Sequence, residues 1–217
     1  MRRLLLLILA SLSFSAAFAG DWQLVKEDEK SAIRVFTRAV EGSDLKEFRG
    51  ELRIHARVSA LVALVEDNSN GPHWLHLCKA LELIEQYSPQ QKLFYMVSDA
   101  PWPVTDRDSV FMSTLTQDES GAVIIRMASR ADAFPVNDDY IRISRMSGFW
   151  QFVPQDDGTV LVVYQVHAEP GGGIPSWLSN SVVVDNPYHT LLNMTEEVKK
   201  PLYRDAQLAH IREPLAH

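Results

Sequence analysis

Between residues 77 and 167 the chain sets down six strand-length segments in direct succession, with no helical pattern among them. They run Leu77 to Tyr87, Lys92 to Ala100, Ser109 to Thr116, Ala122 to Ser129, Tyr140 to Val153 and Thr159 to His167. Turn chemistry such as Ser88-Pro89, Asp118 to Gly121 and Gln155 to Gly158 separates them. Parallel strands need long crossovers, so strands this close together favour an antiparallel, strongly curved sheet. In Lys92 to Ala100 both alternating faces are apolar, with Leu93, Tyr95 and Val97 on one and Phe94 and Met96 on the other. A strand with one wet face would alternate apolar and polar, so both faces of this one are covered.

Two strands of half-buried character come earlier, Ile33 to Arg38 and Phe48 to Val58. Asp21 to Lys30, with Trp22 and Val25 on one side, reads as a short helix, and Ser59 is placed to cap another through Leu61, Leu64 and Val65. After Pro170-Gly171-Gly172-Gly173 the period lengthens. Ile174, Trp177, Leu178, Val182, Leu191, Leu192, Val198 and Leu202 fit one long helix with two adjoining apolar stripes, bent or re-capped near Pro187. One helix cannot cover both faces of an eight-stranded sheet, so this α+β layout requires the sheet to curl around it. The space between is either packed core or a ligand cavity.

Of the 217 residues, 46% are hydrophobic and 23% charged, enough apolar material for a full core and inconsistent with disorder. The excess of 28 Asp and Glu over 21 Lys and Arg gives a charge of −7. That balance argues against nucleic acid, whose sequence-independent binding depends on Lys and Arg meeting phosphates. One Cys excludes an internal disulfide. No repeat or Pro/Gly-rich linker divides the chain, so a single domain is expected from residue 20 to 217.

Residues 1–19 read as a Sec-type signal peptide: Arg2-Arg3, an apolar run from Leu4 to Ala10, and Ala17-Phe18-Ala19 before Gly20. The alternative, an uncleaved anchor, is disfavoured because the run is short for a span and diluted by Ser11, Ser13 and Ser15. Loss of both arginines with the first 19 of 217 residues takes the charge from −7 to −9 over 198 residues. Export to a periplasm is expected, with secretion as the alternative.

Pro101-Trp102-Pro103-Val104-Thr105-Asp106-Arg107-Asp108 resembles the Pro-x-Pro…Arg-Asp signature of START (StAR-related lipid-transfer) domains. Glu169-Pro170-Gly171-Gly172, with Ile174-Pro175-Ser176-Trp177-Leu178 and Asn180, is similar to the loop leading into that family's last helix. Phe48-Arg49-Gly50, Trp74 and Gly148-Phe149-Trp150 agree in family order. The resemblance implies a helix-grip fold, a curved antiparallel sheet wrapped around a long C-terminal helix and a tunnel for one lipid.

Counting from the signature places Phe94, Met96, Ser98 and Ser109 facing inward, together with Phe111, Ser113, Met146 and Trp150; Leu178 and Val182 complete the expected lipid-binding set from the helix. The resemblance further implies a lid or mouth at Trp102, Arg107, Gly172 and Trp177. Family headgroup residues do not carry over. The Arg and Asp of phosphatidylcholine-binding members fall at Gly71 and Leu75, and the buried acid and base of sterol-type members at Phe94 and Ser113. Such a pocket is neutral and apolar, suited to a weakly polar lipid rather than a zwitterionic one.

His73, His76 and Cys78 offer three borderline metal ligands, but nothing nearby in sequence completes a site; no metal or other cofactor is expected, and Cys78 reads as a small buried hydrophobe. Asp99, Asp106 and Asp108 read as carboxylates that pin Arg107 or cap backbone donors. His167 has no nucleophile or acid fixed by spacing, so catalysis by it is not expected. Trp102 and Trp177 suit either a membrane interface or rim packing. Gly171 to Gly173 suits either a hinge or a tight turn. The expectation is an exported, monomeric, non-enzymatic binder of one lipid or hydrophobic small molecule with transient membrane contact. An enzyme of the wider helix-grip superfamily is the alternative, and a packed scaffold without ligand a third reading.

Overall fold

The computed structural model describes residues 20–213, apart from residue 175 and the side chains of 176–181; the expected leader, residues 1–19, lies outside the described residues. Ten strands form one curved sheet: β1 (Gln23–Asp28), β2 (Ile33–Ala39), β3 (Lys46–Ile54), β4 (Cys78–Ser88), β5 (Gln91–Ser98), β6 (Arg107–Gln117), β7 (Val123–Ser129), β8 (Ile141–Arg142), β9 (Arg145–Pro154) and β10 (Val160–Glu169). Their order is β1-β2-β3-β10-β9-β7-β6-β5-β4, antiparallel throughout this path, while β8 lies off it and pairs in parallel with β6.

Two strands exceed the eight expected. Asp21 to Lys30 is not helical: β1 pairs with β2 from Gln23↔Thr37 to Asp28↔Ile33, with an irregularity between Leu24 and Lys26. The spacing of Trp22 and Val25 matched a helical face, but an edge strand tolerates polar residues on both faces. Backbone pairing with β2 decides the outcome. The second is β8, cut from the expected strand Tyr140 to Val153. Arg142 leaves the line to grip the buried Asp108 carboxylate at 2.9 and 2.8 Å, and its remaining donors reach the carbonyls of Ala131, Phe134 and Pro135.

The helices also depart from expectation at their ends. Helix α1 (Val58–Glu66) buries Leu61, Val62 and Leu64, but Ser59 lies inside it and does not cap it. The cap comes from the far end of the chain, where the Glu213 carboxylate accepts the Val58 and Ser59 N–H groups at 3.2 and 2.9 Å and the Ser59 hydroxyl. An anion there satisfies orphan donors and complements the helix dipole. A short helix α2 (Gly71–Trp74) follows. The last long helix, α3 (Ser176–Glu197), runs through Pro187 without a new cap, and α4 (Pro201–Arg204) is separate, so Leu202 belongs to a different element.

Helix α3 is fastened in two places. At β3, Gly50 lets it come so close that a Cβ there would sit 2.7 Å from Leu191 Cδ1 and 3.1 Å from Pro187 Cβ. Opposite, a polar stripe at helical spacing serves the backbone after α2: Asn186 Nδ2 donates to the His76 carbonyl, the His76 N–H donates to Thr190 Oγ1, and Asn193 Nδ2 donates to the Trp74 carbonyl, each at 3.0 Å. The His76 and His189 rings meet across this joint, tilted 38° to each other with centroids 4.9 Å apart. As the two-faced apolar pattern requires, β5 is covered on both sides: Leu93, Tyr95 and Val97 pack under Phe134 and Tyr140, while Phe94 and Met96 point into the grip.

Two outcomes follow from these joints. Gly50→Ala forces α3 and β3 apart and should cost about 1–3 kcal/mol, read as a lower urea midpoint with an unchanged slope. Burial first, and His189 second, depress the His76 pKa, against an opposing contribution from Asp185. The folded state therefore binds this proton less readily than the unfolded chain, whose histidines titrate near about 6.5, and stability falls as pH drops through that value. Thermal midpoints of wild type should decline between pH 7.5 and 5.5, and those of His76→Gln should decline less; parallel curves would clear the pair of any role.

Candidate functional site

The sheet's concave face is filled in two ways, and the change falls along one cross-strand row. On β10, Val162 is fully buried in the packed core, whereas Tyr164, Val166 and Ala168 line open space. On β9 the same division separates Phe152 from Trp150, and on β7 it separates Val123 from Ile125. Pairings Tyr164↔Trp150 and Trp150↔Ile125 join these residues into a continuous floor, with Val162↔Phe152 and Phe152↔Val123 beneath it. Above lies a cavity of about 260 Å³, roofed by Val182, Val183, Asn186 and Thr190 of α3.

Of the residues expected to face a ligand, Phe94, Met96, Ser98, Phe111, Ser113, Met146, Trp150 and Val182 line this cavity. Ser109 shares their face but is 0% exposed and does not reach it. The side chains of Leu178 and Trp177 lie outside the described residues. Phe94 and Phe111 stack with centroids 5.6 Å apart, and Trp150 lies flat on Tyr164 at 3.9 Å.

One end of the cavity, where the mouth is expected, is built around Arg107. Buried at the start of β6, its guanidinium donates to the carbonyls of Pro170 at 3.4 Å, Gly171 at 3.2 Å and Thr105, tying the signature loop to the segment before α3. Burial lowers its pKa, with Asp106 opposing. Asp106 holds the loop's other limb, accepting from the Ala100 N–H at 2.9 Å and pairing with Lys79 at 2.6 Å. Asp108 pairs with Arg142 rather than Arg107. Gly171 and Gly172 each hold φ near +64°, and a Cβ on Gly172 would press to 3.0 Å from Ile141 Cδ1. Trp102 is 91% exposed, so it is not packed into the rim.

Two titratable groups at the cavity are held in their neutral forms. Burial pushes the Cys78 thiol up to about 11, and its sulfur donates to the Ala80 carbonyl at 3.5 Å. Burial also pushes the Tyr164 phenol far above its usual range. His167 points to the opposite face of β10, where it meets Glu169 at 3.2 Å in a separate polar cleft. No group of three or more metal-ligating side chains occurs among the described residues. At Gly71, where phosphatidylcholine-binding relatives were expected to carry Arg, even a Cβ would meet Leu81 at 2.9 Å. Sequence reading missed Tyr164, Ile125, Met127, Asn186 and Thr190. The polar half of β10, Gln165 and His167, marks its outer face and could have pointed to Tyr164 on the inner one.

Comparison with known proteins agrees with this geometry. The START domain family model matches residues 18–188. An uncharacterized protein of Pseudomonas aeruginosa is 36% identical over 184 residues, 85% of this chain and 90% of its own length. Among solved structures, a STAR-related lipid transfer protein fragment from Xanthomonas axonopodis is 37% identical with a TM-score of 0.76, covering 82% of this chain and 99% of that one. Human StAR-related lipid transfer protein 5 shares the fold at 15% identity, with a TM-score of 0.73 over 82% of this chain and 86% of that one. From the signature loop bound to the α3 approach through Arg107 to the cavity beneath the last long helix, sequence and structure agree: the chain belongs to the START domain family.

Proposed function

We propose that this is an exported protein that encloses one neutral, hydrophobic ligand for transport or sensing. The observation that carries the reading is the cavity itself: its floor is aromatic and aliphatic, its walls are chiefly apolar, and Arg107 at its mouth is committed to backbone carbonyls. A similar solved protein is named for lipid transfer, which supports the same class of ligand. Burying roughly 400 Å² of apolar ligand surface at about 25 cal/mol per Å² supplies on the order of 10 kcal/mol. Lost ligand freedom offsets much of this, and no ion pair is needed to retain the remainder. Binding rather than catalysis is the reading, because burial keeps the Cys78 thiol and the Tyr164 phenol protonated at neutral pH and no nucleophile among the described residues is paired with a base there.

Passage in and out takes place at the Arg107 end. The signature loop and the first turns of α3 part there, with Trp102 as the exposed aromatic that meets a membrane interface. The acidic chain gains nothing from anionic lipid by simple charge attraction. Export follows from the leader pattern in residues 1–19.

Mass spectrometry of organic extracts from the purified protein should find one lipid-soluble molecule per chain, and Ser113→Phe, which adds a ring to the cavity wall, should abolish it while leaving a folded protein. Extracts empty for both would remove the proposal. Trp102→Ala should slow ligand transfer to neutral vesicles several-fold and leave the equilibrium occupancy unchanged; an unchanged transfer rate would move the membrane contact elsewhere.

A further inference from the structure

Tyr164 occupies the last row of the cavity before the packed core begins. Along β10 the cavity is lined by Pro170, Ala168, Val166 and then Tyr164. Six residues of extended chain put this floor about 20 Å from the mouth. The ring cannot swing away, because it lies flat against Trp150 with planes 5° apart and takes the edge of Phe48 at 5.1 Å.

Its hydroxyl is treated differently from those of comparable tyrosines. Tyr188 donates to Asp28 at 2.9 Å, Tyr203 donates to Asp67 at 2.8 Å, and Tyr95 bonds Asp108. Tyr164 has no hydrogen-bond partner among the described residues, and the titratable group that acts on it is the neutral Cys78 thiol. Trp74 Nε1 and Ser109 Oγ are also unpartnered, but those atoms are fully buried, whereas Tyr164 is only half-buried and lines the cavity. A buried hydroxyl without a partner carries a desolvation cost of about 1–3 kcal/mol, and buried tyrosines normally find one.

Resting on the cavity-binding reading above, we infer that the Tyr164 hydroxyl is the ligand's polar contact, and that the ligand is a neutral hydrophobe bearing an oxygen at the end that enters first. The phenol donates its proton to that oxygen. A ligand carboxylate is disfavoured here because Arg107 stands at the opposite end of the cavity with its donors occupied. The chemical class is therefore a long-chain alcohol, ketone, ester or ring-system hydroxyl, with its apolar body running along Val166 and Ala168 toward the mouth.

The test is displacement of a bound fluorescent hydrophobic reporter by n-decanol and by n-decane, in wild type and Tyr164→Phe. Decanol should lose about 3- to 10-fold in affinity for the variant, the worth of one neutral hydrogen bond. Decane should bind both proteins equally. The ligand-free variant should melt at the same temperature or higher, since it has lost an unpartnered hydroxyl and kept its ring. Equal decanol affinities, a parallel loss for both probes, or a lower melting point without ligand would each overturn the inference. Wild type that binds neither reporter nor probe would instead overturn the cavity reading on which it rests.

Discussion

Helix α3 sits against the sheet through a contact that only glycine permits and a set of hydrogen bonds that only a polar stripe supplies. At Gly50 the helix is in van der Waals contact with backbone, so the seam there is dry and closed. On the other side Asn186, Thr190 and Asn193 satisfy the Trp74 and His76 backbone, groups that the end of α2 would otherwise leave unpaired. Between the two attachments the helix spans the concave sheet without filling it. The cavity follows from that suspension: a helix lowered further would require larger gaps at β3, and one raised further would strand the carbonyls it serves.

Core and cavity share one surface. Below the Tyr164–Trp150–Ile125 row, α1, the segment after it and the tail that brings Glu213 back to α1 fill the grip with Leu61, Leu64, Val162 and Phe152. Above the row none of the described elements descends into the cavity. Stability and ligand capacity thus occupy separate halves of the same barrel-like curve. Changes to the upper half can alter binding with little effect on the lower, since packed protein already supports the floor.

Much of this was legible beforehand because it depends on local chemistry. Alternation in β2, β3 and β5 to β7 identifies strands, and the two apolar faces of β5 require cover on both sides. The carboxylates flanking Arg107 read as caps for backbone donors, the role Asp106 takes at Ala100. What escaped reading depends on partners distant in sequence. Nothing in Asp21 to Lys30 reveals that β2 will offer it an edge, and nothing near Ser59 reveals that Glu213 will arrive to cap the helix. Arg142 splits β8 from the strand expected over Tyr140 to Val153 only because Asp108 is buried 34 residues earlier in the chain.

The sequence by itself determined an acidic, single-cysteine chain with a leader-like pattern in its first 19 residues and a curved sheet closed by a last long helix. It also determined that the inward positions carry almost no charge, since alternation along each strand assigns residues to faces without reference to the rest of the fold. Only the tertiary structure decided where core stops and cavity starts, because that boundary depends on how many elements enter the grip and how far. It also decided which polar groups remain without protein partners: a hydroxyl such as that of Tyr164 looks the same in sequence whether or not a carboxylate reaches it.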